Sequence, residues 1–396
     1  MIEACARHGY QATTSRELVA LAGVSKKALY QRFDSKDDCF LETYDLVVRQ
    51  ASRRISAAYR ATLDDGNDWA AGLRRAFDAF AHELIERPGP SRLALVDVLS
   101  LGPEALDRIE EAEAIFAAMI RQSLGQAPDA VAIPAALTRP MIGGVWFVSR
   151  SRLLEGQAED LVGCGAGLFE WMLSYRTEAA LPLVRVPAGV VAANGPGCRD
   201  PRYGDERIRV IHAAAALVAR GGFDALSEAS IAELSGVGEE RFAVWFEDLR
   251  HCFLATLEHQ MAEALAGAIR ASQSGPDWAS GVCLSVRALF CRVAEDPAFA
   301  RAAFLEPFAA GPGGLERRAA LIRGLAGVLV RRVPADRRPD SLVAEAIVGS
   351  VWTLVQRQVA RGHAKRLPTL AGHGAFLALA PIVGASQALE AIVSQL

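Results

Sequence analysis

No run of apolar residues in this chain of 396 reaches the length of roughly 20 that a membrane-crossing helix needs. The nearest stretch, around Ile382 to Val393, is interrupted by Gly384, Ser386, Gln387 and Glu390. No signal peptide opens the chain, so a cytoplasmic location is the expectation. The seven cysteines, at 5, 39, 164, 198, 252, 283 and 291, form no C-x-x-C pair and are odd in number. That pattern speaks against both a zinc site and a disulfide framework and leaves free buried thiols. Charge of one sign is also lacking: the net formal charge is only −3, so affinity for nucleic acid has to come from a local patch. Lysine is scarce, at four (26, 27, 36 and 365) of the 43 Lys plus Arg, and three of those four fall between Gly23 and Lys36. What is present, 51% hydrophobic and 22% charged residues, excludes wholesale disorder and suits two or three domains.

The lysine-bearing stretch has the grammar of helix, tight turn, helix. Thr14-Ser-Arg-Glu17 has capping-box form and opens a helix whose Leu18 and Leu21 point inward. Gly23 and Val24 close it and turn the chain, and Ser25 supplies an N-cap for a second helix from Lys26 to Arg32. In that helix Ala28, Leu29 and Phe33 are expected to face inward, leaving Lys26, Lys27, Tyr30, Gln31 and Arg32 outside. Upstream, residues 1 to 9 read as a helix ending at Gly9 with Ile2 and Cys5 inward, and downstream Ser35 caps a long helix from Lys36.

The chain also resembles itself. Gly9, Leu21, Gly23-Val24, Phe33 and Cys39-Phe40-Leu41 recur at a constant offset of 213 as Gly222, Leu234, Gly236-Val237, Phe246 and Cys252-Phe253-Leu254. Trp69, Gly72 and Pro88 recur at offset 209 as Trp278, Gly281 and Pro297; Gly143, Val145-Trp146 and Gly156 recur at offset 206 as Gly349, Val351-Trp352 and Gly362. The whole unit therefore reads as a tandem duplication, with small deletions in connecting loops. Each copy continues as Ala- and Leu-rich helical patterns, in the first at about 36–60, 68–87, 90–100, 104–124, 138–155 and 159–176, with no competing strand alternation. Between the copies, Arg185 to Gly204 is Gly/Pro-rich and reads as a linker.

Gly9-Tyr10, Thr13-Thr14, Ala22-Gly-Val-Ser25, Leu29-Tyr30, Phe33 and Ser35-Lys36 together resemble the N-terminal head of the TetR family of transcriptional regulators. The resemblance implies an all-α fold of two tandem TetR-like units, each a helix-turn-helix head plus a helical ligand-binding and dimerisation-type body. The boundaries are a head at 1–45, a body at 46–180, a linker at 181–204, a degenerate head at 205–258 and a second body at 259–396. It implies DNA as partner, with Lys26, Lys27 and Gln31 reaching base edges, Thr14, Tyr30 and Lys36 on phosphates, and Ser25 within the same binding stretch. It implies a small apolar ligand, with Trp69, Phe77, Phe80, Phe116, Met119, Met141, Trp146 and Phe147 on the helices that would enclose it, although core packing is the better explanation of any single one.

By the same resemblance, Pro140 to Leu154 and Leu161 to Tyr175, with Leu342 to Arg361 and Leu367 to Leu389, pair the copies as an intramolecular pseudo-dimer. The first helix looks short for the family: Met1 aligns with Ala214, whereas the second copy's helix is expected to begin near Asp205 or Glu206, some eight residues earlier. From Gly23 to Lys36 the charges sum to +3, and over Gly236 to Leu249 to −3, so only the first head is expected to bind DNA.

Other motifs carry less. Gly163-Cys-Gly-Ala-Gly167 lacks the preceding strand of a phosphate loop and reads as close helix packing; the seven histidines make no metal spacing; Glu110-Glu111 and Glu113 read as a solvated face. No nucleophile elbow or acid pair supports an enzyme, and no cofactor is expected. A ligand-binding or protein-interaction module that has lost DNA binding is the alternative.

Overall fold

Side-chain caps start the helices where the sequence places Ser, Thr or Asp ahead of an apolar-periodic segment. Thr14 accepts from the Glu17 N–H, Ser25 from Ala28 and Ser35 from Asp38; in the second half Ser227 accepts from Ser230 and Asp248 from His251. The structure, a computed structural model, describes residues 1–101, 103–127, 131–163, 165–178, 181, 206–306 and 312–396. Among these residues it is all-helical, without strands.

The helices are α1 (Ile2–Ala12), α2 (Ser15–Ala22), α3 (Lys26–Arg32), α4 (Lys36–Asp64), α5 (Trp69–Glu86), α6 (Pro88–Leu95), α7 (Pro103–Leu124), α8 (Ala135–Leu154) and α9 (Gly165–Leu173). There follow α10 (Glu206–Gly221), α11 (Glu228–Ser235), α12 (Glu239–Trp245), α13 (Leu249–Ser272), α14 (Trp278–Glu295), α15 (Pro297–Phe304), α16 (Pro312–Arg331), α17 (Ser341–Ala360), α18 (Ala371–Val383) and α19 (Ala385–Gln395). Most of the linker, together with Cys164 and Cys198, lies outside the described residues.

The chain divides into two compact units, Met1–Ala180 with Ala319–Trp352, and Leu181–Arg318 with Thr353–Leu396. In the first unit α4 packs along α5, with Gly72 admitting the Tyr59 ring so closely that a Cβ would lie 3.0 Å from it. The same unit buries an α8–α17 crossing. A Cβ on Gly144 would overlap the Ser350 hydroxyl and the Ala346 carbonyl, and one on Gly349 would meet Phe147 at 3.0 Å. Beside it Arg152 and Glu345, both buried, form a paired hydrogen-bonded ion bridge at 3.1 and 3.3 Å. Each charge there has its countercharge, which is the condition for keeping such a pair out of water. In the second unit α14 is the central helix, packed on α13, α18 and α19. Its Phe290 and Val286 fill the space that Gly374 of α18 leaves.

Several expectations are corrected. Ala28 is exposed, not inward: α3 has only seven residues, and its buried stripe is Leu29 with the half-buried Phe33 one turn on. Leu18 and Cys5 are buried, whereas Leu21 and Ile2 are only half-buried. The segment Leu367 to Leu389 is not one helix. A 3-10 turn, Ala364–Leu370, precedes α18, and Gly384 at φ 85° separates α18 from α19. That φ lies where L side chains are strained, so glycine is the natural break.

Candidate nucleic-acid interface and internal chamber

The turn between α2 and α3 depends on Gly23, which closes α2 in the left-handed region at φ 65° and ψ 29°. Behind it the head's small core holds Cys5, Tyr10, Leu18, Leu29 and Phe40, with the Tyr10 ring edge-on to Phe40 at 4.7 Å. This core fixes α3 so that Lys26, Lys27, Gln31 and Tyr30 all stand exposed on its outer side. Thr14 and Ser25, also exposed, present their oxygens at the N-termini of α2 and α3 while accepting the capping hydrogen bonds. Tyr30 is 44% exposed, and its hydroxyl lies 2.8 Å from the Ser15 hydroxyl, joining the starts of the two helices. Lys26 Nζ sits 5.9 Å from the Tyr30 ring centre.

Lys36 is placed differently. It is half-buried, donates to the Tyr10 and Thr13 carbonyls at 3.3 and 3.1 Å, and lies 4.2 Å from the Tyr10 ring centre. Two of its three ammonium donors therefore hold the end of α1, leaving one for any other acceptor. Arg32 is exposed and paired with Glu42 at 3.0 Å.

At offset 213 from α3, α12 has an inward Phe242 and is followed by a buried Phe246 but shows Glu239 and Glu240 outward. Its Arg241 is drawn aside to Glu206 at 2.5 Å. Val244 and Trp245, 61% and 37% exposed, complete an outer face that is apolar and acidic.

Glu113, expected on a solvated face, is buried at 4% exposure, and Asp97 is a further buried carboxylate. Asp97, in the 3-10 turn Asp97–Leu101 against α1, is 4% exposed, and its Oδ1 would lie 3.8 Å from a Cβ on Gly9. Arg92 Nε is 3.7 Å away, too far for a hydrogen bond, and neither that atom nor Asp97 Oδ2 has a hydrogen-bond partner. Burial, only partly offset by Arg92, pushes the Asp97 carboxyl up to about 6. At offset 209 the same positions are Arg301 and Glu306. There the longer carboxylate does connect: Glu306 accepts from the Phe223 N–H at 2.9 Å and from Arg301 Nε at 2.6 Å.

Inside the first unit, α4, α5, α7, α8 and α9 surround a cavity of about 50 Å³. Six of the residues anticipated on those helices, Phe77, Phe80, Phe116, Met119, Met141 and Trp146, do line it. Trp69 instead lies against Phe169, at 6.4 Å between centres, and Phe147 packs beside Gly349. Ile55, Leu73, Trp171 and Met172 also line it and carry no sequence signal that separates a cavity from a core. A second space of about 40 Å³ shares Phe80, Phe116 and Trp146 with the first and is lined by Tyr44, Glu83 and Ser91. Glu83 is bonded to Arg54, and the Ser91 hydroxyl donates to the Glu83 carbonyl at 3.1 Å. The Tyr44 hydroxyl, in a residue 1% exposed, has no hydrogen-bond partner. Among the described residues Cys5, Cys39, Cys252 and Cys283 are free and buried. Burial pushes the Cys5 thiol up to about 11 and those of Cys252 and Cys283 up to about 12.

A capped two-helix turn on a small core, with cations on the outer side of the second helix, defines the class: a helix-turn-helix head. Residues 2–43 match the family model "Bacterial regulatory proteins, tetR family", and this segment is a TetR-family N-terminal helix-turn-helix domain. Two solved structures are similar in part. One is a transcriptional regulator FadR from Bacillus subtilis in complex with stearoyl-CoA: 15% identity, 48% of this chain and 98% of that one, TM-score 0.38. The other is a TetR family transcription regulator from Marinobacter aquaeolei VT8: 22% identity, 43% and 94%, TM-score 0.29. No curated protein matches. Among the described residues no helix is long and apolar enough to cross a membrane.

Proposed function

We propose that this chain is a ligand-responsive, sequence-specific DNA-binding transcriptional regulator, built as two tandem TetR-like copies, that reads DNA with its first head alone. The TetR-type head supports a DNA-binding regulator. The observation that carries the finer reading is the reversal of charge between two helices of equal length: α3 exposes Lys26 and Lys27 where α12 exposes Glu239 and Glu240. An acidic outer face is repelled by the phosphates that surround the groove, whereas the first head offers them the remaining donor of Lys36. Gln31 and the two lysines would read base edges, while Thr14 and Ser25, at the helix starts, and Tyr30, bonded to Ser15, would hold the backbone.

Element lengths support the duplication. Helices α5 and α14 each have 18 residues behind an Asp cap, Asp68 and Asp277, and α8 and α17 each have 20. The positive-φ glycines also pair, Gly9 with Gly222, Gly23 with Gly236 and Gly156 with Gly362. On this reading the head is 1–45, its body 46–180, the linker 181–204, the degenerate head 205–258 and its body 259–396. The α8–α17 crossing supports a pseudo-dimer: Gly144 meets Ser350, its own equivalent at offset 206, as residues do beside a two-fold axis. The cavity among Phe77, Phe116 and Met141 supports an apolar ligand. One chain then reads one half-site, and a palindrome takes two chains.

Selection of bound fragments from genomic DNA, followed by titration across salt, tests the proposal. A shared sequence should emerge, with affinity falling steeply as salt rises. Fragments without a common sequence, or a salt-independent signal, would remove it.

A further inference from the structure

The two internal spaces divide their chemistry sharply. The first offers a ligand aromatic and thioether surface: Phe77, Phe116, Met119, Met141 and Met172 line it. The second meets the first at Phe80, Phe116 and Trp146, and its carboxylate and hydroxyl at Glu83 and Ser91 are already bonded within the protein. Tyr44 is different, because its buried hydroxyl points to no protein acceptor or donor. A buried hydroxyl left unpaired costs stability, and an accepting atom of a ligand beside it would offset that cost.

The electrostatics narrow what that partner is. Burial and the nearby Glu113 raise the Tyr44 phenol well above its ordinary range, so it keeps its proton and serves as a donor. Arg150 is pushed down to about 10 by burial, with Tyr44 and Glu113 pulling it back, and so remains a cation at neutral pH. Glu113 opposes Arg150 and Arg54 opposes Glu83, which leaves no net positive charge to attract an anion. We propose that the two spaces form one site for an uncharged molecule with an apolar body and a single accepting oxygen, the body lying among the aromatic and methionine side chains and the oxygen meeting the Tyr44 hydroxyl. The methionines give the site room to adapt, since an unbranched thioether shifts at little cost. The inference rests on the reading of this unit as a ligand-responsive body and adds the chemical class of the ligand.

Three probes of similar length separate the alternatives: 4-phenyl-2-butanone, butylbenzene and 4-phenylbutanoate. Each is titrated calorimetrically into the full chain and into Tyr44→Phe. The ketone should bind the full chain most tightly and lose about tenfold in Tyr44→Phe, the size of one hydrogen bond. Butylbenzene should bind both chains alike, and the carboxylate should bind most weakly. Without probe, Tyr44→Phe should melt at the same temperature or higher, because it deletes an unpaired hydroxyl. Preference for the carboxylate, a ketone affinity indifferent to Tyr44→Phe, no binding by any probe, or a lower melting temperature would each overturn the proposal. DNA binding is read separately on the same samples: a failed probe pattern with DNA binding intact sinks the ligand class alone, and absent DNA binding sinks the regulator reading.

Discussion

Replacing Asp97 by Asn should stabilise the protein at neutral pH, an unusual outcome for deleting a buried charge next to an arginine. The carboxyl lies in the folded chain at about 6 against an ordinary 3.8, chiefly because it is desolvated and Arg92, at 3.7 Å, stops short of a hydrogen bond. That difference corresponds to roughly 3 kcal/mol, an upper bound on what ionising Asp97 costs the folded state at pH 7. The direction of the pH dependence follows from proton binding. Between about pH 4 and pH 6 the folded carboxyl holds its proton more tightly than the unfolded one, so stability falls as pH rises through that window and stays lowered above it. Asp97→Asn should remove that slope and raise the melting temperature at pH 7. Asp97→Glu should restore a joint like that of Glu306, reaching Arg92 and the Tyr10 N–H. Thermal unfolding of the three chains at half-unit steps from pH 4 to 8 checks this. A pH 7 melting temperature lower in Asp97→Asn than in the parent would show that attraction to Arg92 outweighs desolvation, and would refute the reasoning.

At the α8–α17 crossing, Gly144→Ala should destabilise by about 1–3 kcal/mol in denaturant unfolding, because its Cβ overlaps the Ser350 hydroxyl and the Ala346 carbonyl. Arg152→Ala alone should cost about 3–5 kcal/mol by stranding the buried Glu345, Glu345→Ala should cost less because Arg152 keeps Glu155 at 3.6 Å, and the double replacement should cost less than the sum, as a double-mutant cycle would read. Gly23→Ala places a Cβ at φ 65° and should cost about 1 kcal/mol, lowering DNA affinity at elevated temperature more than at low temperature.

The head was legible because its chemistry is local. Capping residues, Gly23 and the alternation of Leu29 with exposed cations are written within a few residues of one another, and the structure places them as read. The position of Ala28 was not, since a seven-residue helix has too narrow a buried stripe to hold a neighbour of Leu29. Nor was the fate of Lys36, whose carbonyl partners are 23 and 26 residues away in sequence. The cavity wall was half legible: Phe77 and Met141 lie on helices that the family resemblance places around a ligand, but Ile55 and Leu73 look like any core residue until neighbouring helices fail to fill the space. Asp97 had one unread signal, the recurrence of Arg92 and Asp97 as Arg301 and Glu306 at the offset that already matched Trp69 to Trp278.

On the proposed reading one head contacts DNA and the other does not. Binding of the selected fragment to the full chain, followed by fluorescence anisotropy and nuclease footprinting, should be abolished by the double change Lys26→Glu, Lys27→Glu. The double change Glu239→Ala, Glu240→Ala should leave affinity within about twofold and the footprint unaltered, if, as proposed, the second head stays off the DNA. Retained binding in the first variant, or a changed footprint in the second, would contradict the account.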